Sequence, residues 1–301
     1  MNSLKLCYCV MLLATMFLIG ANAASAQTVP VEALSRPQPS PTPQATSSPS
    51  LEKEFFRNIL RDQRAIITAP LHLKKSDARF LLPLGAVTAT LLATDRRTAG
   101  ALHDNQSRLK ISRDISRLGD FYATGGIAGA FYLVGRATNS ARARETGLLG
   151  IEALIDSGID VQALKAITQR PRPRVDNASG EFFDRGNSFP SGHAISAWSL
   201  ATVVAEEYHN HCFVQITAYG LAVAVSASRY TGRNHFLSDA LVGSVLGYGI
   251  GHYVYKTHHN QSLDSLNEVS SHGVRRKLFP MLAPKYNGQK HDYGMTLAWN
   301  L

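Results

Sequence analysis

Apolar residues recur at helical spacing over residues 51–255, without the strict alternation of a half-buried strand. Uncharged apolar segments of about 12 to 16 residues lie at 80–94, 121–135, 194–205, 212–227 and 240–255. A further helix is predicted over 144–169. Its acidic residues Glu152, Asp156 and Asp160 recur every four positions and therefore line one side of an otherwise apolar helix. The pattern predicts an all-α protein, a helical bundle of about six core helices.

The pattern changes in the C-terminal tail, where residues 293–301 alternate between apolar and small or polar side chains. Asn287 and Gly288 precede this segment, and an Asn-Gly pair is a frequent hairpin turn. We therefore expect a short C-terminal β-hairpin that covers part of the bundle. Four histidines of the tail lack the paired spacing of metal ligands and are expected to be solvated. They are His258, His259, His272 and His291.

The N-terminus has the composition of an export signal. Lys5 precedes an uncharged apolar run, and a small-residue pattern ends at Ala26, where cleavage is expected. An uncleaved membrane anchor is the alternative. The segment that follows is rich in Pro, Ser and Thr and predicts a disordered linker. The predicted organisation is a signal peptide at 1–26, a linker at 27–50, a helical domain at 51–257 and a tail at 258–301.

Cysteine usage and segment length bear on the compartment. Removal of the signal would leave Cys212 as the single cysteine, so we expect no intramolecular disulfide in an exported, periplasmic protein. The apolar segments are shorter than the roughly 20 residues of a membrane span, which favours a bundle outside the bilayer that contacts the membrane surface. An integral membrane protein is the alternative, because small-residue helices pack closely in lipid as well as in water.

The chain is basic, with a formal net charge of +9 at pH 7 and a pI near 9.6. This charge is compatible with an anionic substrate, an anionic membrane surface or a nucleic acid. The basic residues are scattered, however, and no aromatic stacking motif accompanies them. We therefore expect no nucleic-acid partner.

The first of three chemistry-bearing clusters, at residues 165–173, reads Lys-Ala-Ile-Thr-Gln-Arg-Pro-Arg-Pro. The two prolines disfavour a helix in the residues before them, so the helix that carries Lys165 is predicted to stop near Gln169. Arg172 then lies on an extended segment, where an ammonium group and a guanidinium can converge on one anion. Taken alone, a basic proline-rich turn is also typical of a solvated loop.

The second cluster is Pro190, Ser191, Gly192 and His193, directly before the apolar segment 194–205. A helix start has unpaired N–H groups and the positive end of the helix dipole, so it is a ready anion site. Pro190 can begin the helix, Ser191 offers a hydroxyl, and Gly192 lets an oxyanion approach the backbone closely. His193 adds a proton that can be donated. An ordinary capped helix start is the alternative.

The third cluster contains Arg229, His235 and Asp239. Four positions separate the histidine from the aspartate, which on a helix places the carboxylate within reach of the imidazole. There it would fix the tautomer and stabilise the imidazolium, which makes a nucleophilic or basic histidine. A surface ion pair, which contributes little to stability, is the alternative.

Together the clusters read Lys-x6-Arg-Pro, Pro-Ser-Gly-His and Ser-Arg-x5-His-x3-Asp, with eleven identities in one order. At about one chance in twenty per position, coincidence is negligible. Over residues 121–255 the chain resembles the type 2 phosphatidic acid phosphatase (PAP2) superfamily, which also contains bacterial acid phosphatases and vanadium haloperoxidases.

The resemblance implies a metal-independent phosphatase that hydrolyses phosphate monoesters or lipid (di)phosphates through a phosphohistidine. It implies that His235 is the nucleophile, that Asp239 orients it, and that His193 protonates the leaving oxygen. The residues that would hold the phosphoryl oxygens are Lys165, Arg172, Ser191, Gly192 and Arg229. No metal or other cofactor is expected, vanadate should inhibit, and the partner is a phosphorylated small molecule or a lipid phosphate.

Two alternatives remain open. A haloperoxidase would hold vanadate as its cofactor with the same residues, but such enzymes are longer and carry extra elements that this sequence lacks. A non-catalytic binder of phosphate or lipid headgroups needs the cations but has no use for His193, His235 and Asp239. The sequence favours the hydrolase and leaves the ester and the oligomeric state open.

Overall fold

The computed structural model describes residues 51–72, 74–103, 105–175, 179–259, 281–287 and 292–298. These residues contain eight α-helices and two strands. In chain order they are α1 (Leu51–Thr68), α2 (Ala78–Gly100), α3 (Gln106–Ser116), α4 (Phe121–Ala137), α5 (Ala141–Thr168), α6 (Gly192–Glu207), α7 (Cys212–Thr231), α8 (Leu237–His258), β1 (Met281–Asn287) and β2 (Asp292–Ala298). Short 3₁₀ turns lie at Ala69–His72, Lys75–Asp77 and Arg117–Gly119.

The predicted all-α fold is confirmed. The five uncharged apolar segments lie in α2, α4, α6, α7 and α8, and the helix with the acidic side is α5. Helices α1 and α3 are more polar additions to these six core helices. In the described part of the chain, no helix combines the length and the apolarity that crossing a membrane requires.

Helix α6 lies at the centre of the bundle and packs against α5, α7 and α8. Its contact with α8 is close because glycines recur every four residues on the facing side of α8, at Gly243, Gly247 and Gly251. A Cβ atom on Gly243 would lie 2.6 Å from the Ser191 carbonyl oxygen, so only glycine fits there. The apolar core beside this contact includes Leu149, Ile195, Val203 and Val254, which are all fully buried.

The ends of α5 follow from local sequence. Ser140 caps its start, because the hydroxyl accepts a hydrogen bond from the backbone N–H of Ala143. Its last helical residue is Thr168, and Gln169 adopts a left-handed conformation with φ 44°. The predicted helix end is therefore confirmed, and Arg172 lies on the non-helical segment beyond it.

The C-terminal strands β1 and β2 pair in antiparallel register, with Met281 opposite Ala298 and Asn287 opposite Asp292. They form the hairpin that the Asn-Gly pair predicts. Its expected role as a cover stays a prediction. The predicted signal peptide and linker, and residues 299–301, lie outside the described residues.

The prediction that the four histidines of the tail are solvated is wrong for His258 and His259. His258 is fully buried, with Nε2 2.9 Å from an Asp62 carboxylate oxygen of α1. His259 is 26% exposed and lies 3.1 Å from Glu145. Tertiary packing of α1 and α5 against the end of α8 buries them, which the local sequence could not indicate. His272 and His291 lie outside the described residues.

Candidate active site

The three predicted clusters meet at one end of the bundle, where α5 and α7 end and α6 and α8 begin. Lys165 Nζ lies 3.6 Å from the position that a Cβ on Gly192 would occupy. The backbone N–H of Ser191 donates to the Asp239 carbonyl at 3.0 Å, which joins the starts of α6 and α8. The helix ends thus bring together residues that are up to 74 positions apart in the chain, from 165 to 239.

Three cations face this end. The Arg172 Nε donates to Asn187 Oδ1 at 2.9 Å, and Arg229 donates through its guanidinium to the Ser116 hydroxyl. Burial lowers the pKa of Lys165, and the charges of the two arginines lower it further. Burial and the neighbouring Arg172 charge lower the pKa of Arg229 to about 10. The like charges therefore destabilise one another until an anion binds between them.

The start of α6 offers donors to that anion. Ser191 occupies the N-cap position, yet its hydroxyl is fully buried and makes no capping bond or other hydrogen bond. Gly192 is the first helical residue, and the N–H groups of a first helical turn lack partners within the helix. Pro190, which the sequence predicts as the first helical residue, lies before the helix after a cis peptide bond. That expectation is therefore wrong, and Ser191 and Gly192 take the helix start.

His193 lies in the first turn of α6 and is partly buried. Burial and the nearby positive charge of Arg229 lower the pKa of this histidine to about 4. The imidazole is therefore neutral near pH 7 before an anion binds. A bound phosphate would offset the positive charges around it and raise its pKa again.

His235 is 1% exposed and lies two residues before the start of α8, so it does not share that helix with Asp239 as predicted. Its Nδ1 is 2.7 Å from the backbone carbonyl oxygen of Ser188 and 3.6 Å from Asp239 Oδ2. A carbonyl can only accept, so Nδ1 donates its proton there and the lone pair remains on Nε2. Burial lowers the pKa of His235 to about 4, which keeps the ring neutral.

Asp239 lies beside His235, and several further contacts hold its carboxylate in place. Its Oδ2 accepts hydrogen bonds from the Phe236 backbone N–H at 2.9 Å and from the Ser188 hydroxyl at 2.5 Å. Burial alone would raise the pKa of Asp239, but the interaction with the His235 ring, the positive charge of Arg170 and the hydrogen bond from Ser188 hold it below its ordinary value. The carboxylate stays ionised, fixes the segment that carries His235, and supplies negative charge 3.6 Å from its ring.

Sequence reasoning missed Arg170, which is 2% exposed and anchors Asp239. Its guanidinium donates to Asp239 Oδ1 at 2.7 Å, to Asp95 Oδ2 at 2.9 Å and to the Ser238 hydroxyl at 2.9 Å. Its central carbon lies 4.1 Å from the Phe236 ring centroid. The one sequence signal that could have found this network is the lone Asp95 after the apolar run of α2.

A cavity of about 190 Å³ opens beside the site. Its lining includes His193 and Arg229, together with Arg113, Arg117 and Arg174. The last three arginines were not predicted, because nothing in the scattered basic residues distinguished them. The entrance therefore carries more positive charge than a single phosphate needs.

An apolar edge adjoins this entrance. Leu118 and Phe121 are 46% and 49% exposed, and Tyr122 is 87% exposed. Gly119 lies between them, and a Cβ there would come within 2.8 Å of the His193 carbonyl oxygen. Apolar side chains are thus within a few residues of the backbone that touches the site.

The PAP2 superfamily model matches residues 146–263, a range that contains all eight predicted site residues. Over 70 residues the chain is 33% identical to lipid A 1-phosphatase of Porphyromonas gingivalis, which is 23% of this chain and 16% of that protein. The chain therefore matches about a sixth of that relative's length. The family resemblance predicted from the three motifs is confirmed over the matched range.

Two solved structures align with part of the chain. LpxE of Aquifex aeolicus aligns with a TM-score of 0.41 and 19% identity, over 54% of this chain and 92% of that chain. The transmembrane PAP2 type phosphatidylglycerolphosphate phosphatase of Bacillus subtilis aligns with a TM-score of 0.43 and 22% identity, over 68% of this chain and 94% of that chain.

Proposed function

We propose that this chain, whose residues 146–263 match the PAP2 superfamily model, is a metal-independent phosphatase that proceeds through a phosphohistidine intermediate. The observation that carries the proposal is the cluster of like charges at one helix start. Burial and the charges of Arg172 and Arg229 lower the pKa of Lys165, and burial and Arg172 lower the pKa of Arg229, beside the buried, neutral His235. Such a site gains most from an anion whose charge grows in the transition state, as phosphoryl oxygens do.

In the first step the phosphoryl oxygens bind between Lys165, Arg172 and Arg229. The unpartnered Ser191 hydroxyl and the Gly192 N–H complete the set of donors. These groups stabilise the negative charge of the transition state, as a metal ion does in other phosphatases, because they are preorganised and partly desolvated. The proposal therefore includes no cofactor, and vanadate, an anion of similar shape to the transition state, should inhibit.

In the second step the Nε2 lone pair of His235 attacks phosphorus, a P–N bond forms and the P–O bond to the leaving group breaks. The Ser188 carbonyl accepts from Nδ1 and so stabilises the positive charge that the ring acquires. His193 protonates the leaving oxygen. A water molecule then attacks phosphorus, gives a proton to His193, and releases phosphate with the return of the Nε2 lone pair.

Lipid phosphates are the substrate class that the entrance favours. The arginines around the cavity suit a headgroup with more than one negative charge, and the exposed Phe121 and Tyr122 offer apolar surface beside it. The partial match to a lipid A 1-phosphatase points in the same direction. We further propose that the protein is exported to the periplasm and works at the membrane surface.

The test is phosphate release in excess EDTA by the wild-type protein, from an aryl phosphate, phosphatidate and undecaprenyl diphosphate in parallel. The expected result is vanadate-sensitive release, fastest from the lipids, and a loss of about 10³-fold or more in His235→Gln. His252→Gln is the matched control, because His252 lies on α8 seventeen positions after His235, is half exposed and pairs with Glu206. Its rate should not change.

Other outcomes would overturn the proposal. No release from any substrate, with halide oxidation once vanadate and peroxide are added, would identify a haloperoxidase. Phosphate binding that survives in His235→Gln, without turnover by the wild type, would identify a binding protein. Release only from the aryl phosphate would keep the chemistry and reject the lipid substrate.

A further inference from the structure

A second cluster of chemically competent side chains lies far from the phosphate site. Asp62 of α1, Glu152 of α5 and His258 of α8 are all fully buried. Each offers a ligand atom, and these atoms all lie within 4.8 Å of one another. Glu152 and Lys165 are thirteen positions apart on α5, which is about 20 Å along a helix. The cluster therefore has no part in binding the phosphate.

The contacts centre on His258. Its Nε2 lies 3.0 and 2.9 Å from the two Asp62 oxygens and 3.7 Å from Glu152 Oε1. In the described part of the chain, the ion pairs of Asp62 and Glu152 run to this histidine alone. One imidazole cannot balance two ionised carboxylates, and a buried carboxylate without a cation partner either takes up a proton or binds a metal.

Unpartnered polar atoms also face the cluster. Neither carboxylate oxygen of Glu152 accepts a hydrogen bond, and Asn58, 1% exposed, leaves both its amide oxygen and nitrogen without a partner. Asn58 precedes Asp62 by one helical turn, which places the two side chains on the same side of α1. Asp156, one turn after Glu152, has one unpartnered oxygen, while Gln63 holds the other at 3.0 Å.

We propose that Asp62, Glu152 and His258 bind a divalent transition metal ion, with Zn²⁺ as the best fit, that fastens α1 to the bundle. One imidazole nitrogen with carboxylate oxygens is a mixed donor set, which zinc accepts and which magnesium and calcium do not prefer. Ligands of a tetrahedral zinc lie about 3.3 Å apart. The separations of 2.9 and 3.7 Å from His258 Nε2 bracket that value.

The site would link three helices that are distant in the chain. Asp62 and His258 are 196 positions apart, and α1 makes few other contacts with α8. An ion shared by both helices and α5 would therefore contribute directly to the docking of α1. Because α1 supplies no residue to the phosphate site, removal of the ion should affect stability more than chemistry.

The experiment uses the full-length protein stripped with a chelator and titrated with Zn²⁺ by calorimetry, with Mg²⁺ and Ca²⁺ as comparison ions. Wild type should bind zinc in stoichiometric amount, and its Tm should rise by about 5 °C or more at saturating zinc. His258→Gln should lose one zinc equivalent per chain, or bind it about 100-fold more weakly or worse. His252→Gln on the same helix is the matched control and should bind like wild type.

Two results would overturn the proposal: no zinc binding by the wild type, or the same zinc stoichiometry and affinity in His258→Gln. The first would mean that His258 and the carboxylates share protons and not a metal. If His258→Gln does not fold, crystals of the wild-type protein grown with zinc decide the matter. Anomalous scattering at the zinc edge should then place an ion between the three side chains, and an ion elsewhere would reject the site.

Discussion

Replacement of Arg170 by methionine should destabilise the protein strongly. The side chain is 2% exposed and its guanidinium bridges two buried carboxylates, Asp95 at 2.9 Å and Asp239 at 2.7 Å. Methionine retains much of the volume but leaves both carboxylates without their cation. Loss of one partner from a buried ion pair costs about 3–5 kcal/mol, because an uncompensated charge remains in a medium of low polarity.

The structure also predicts that the effects of replacing Arg170 and Asp95 are not additive. In Asp95→Asn/Arg170→Met one of the two carboxylates becomes neutral, so the double variant should recover at least about 1 kcal/mol relative to additivity. Arg117→Met is the matched control. Its side chain is 74% exposed and pairs with Asp114 at 3.6 Å, so it should cost at most about 0.5 kcal/mol.

Urea unfolding followed by far-ultraviolet circular dichroism measures these differences, since urea, unlike guanidinium, leaves ionic interactions unscreened. A loss below about 1 kcal/mol in Arg170→Met, or additive losses in the double variant, would refute the reasoning. Either result would mean that water or a rearranged partner solvates the two carboxylates when the arginine is removed.

Three further predictions follow from single contacts. Gly251→Ala should destabilise the protein by about 1–3 kcal/mol in urea unfolding, because the added Cβ would lie 2.5 Å from the carbonyl oxygen of Ser199 in α6. The control Gly249→Ala should be neutral or stabilising, because the space around Gly249 is open. Ser188→Ala should cost about 1–3 kcal/mol, because it removes the buried 2.5 Å hydrogen bond to Asp239, and unchanged stability would contradict that bond. In steady-state kinetics, kcat/KM should fall as the pH rises above about 4, because His193 of the free enzyme loses its proton there. The fall in kcat should come at a higher pH, because bound phosphate raises the pKa of His193. If kcat and kcat/KM fall at the same pH, the assignment of His193 as the acid is wrong.

Much of the fold follows from local sequence. Apolar periodicity located six helices, and the Pro-rich segment located the end of α5, because both signals depend on neighbours within one or two turns. Sequence reasoning was wrong where the chain turns sharply. It assigned Pro190 to the start of α6 and placed His235 on α8, although both lie just before those helices.

The candidate site also has a part that the sequence predicted and a part that it did not. Motif spacing identified Lys165, Arg172, Arg229, His193 and His235, and the structure brings them to one end of the bundle. The partners of these residues were not predictable. The carbonyl that orients His235 belongs to Ser188, whose role depends on a loop conformation and not on its identity, since any residue has a carbonyl.

The sequence by itself determined which segments are helical, where several of them end, and which residues are candidates for the phosphate site, because periodicity, prolines and motif spacing are local properties. Only the tertiary structure decided which buried charges meet. Asp95 reaches Ser238 across 143 positions, and Asp62 reaches His258 across 196. A side chain becomes buried, paired or shifted in pKa through the helices packed around it, and that packing is fixed by the whole chain and not by its neighbours in sequence.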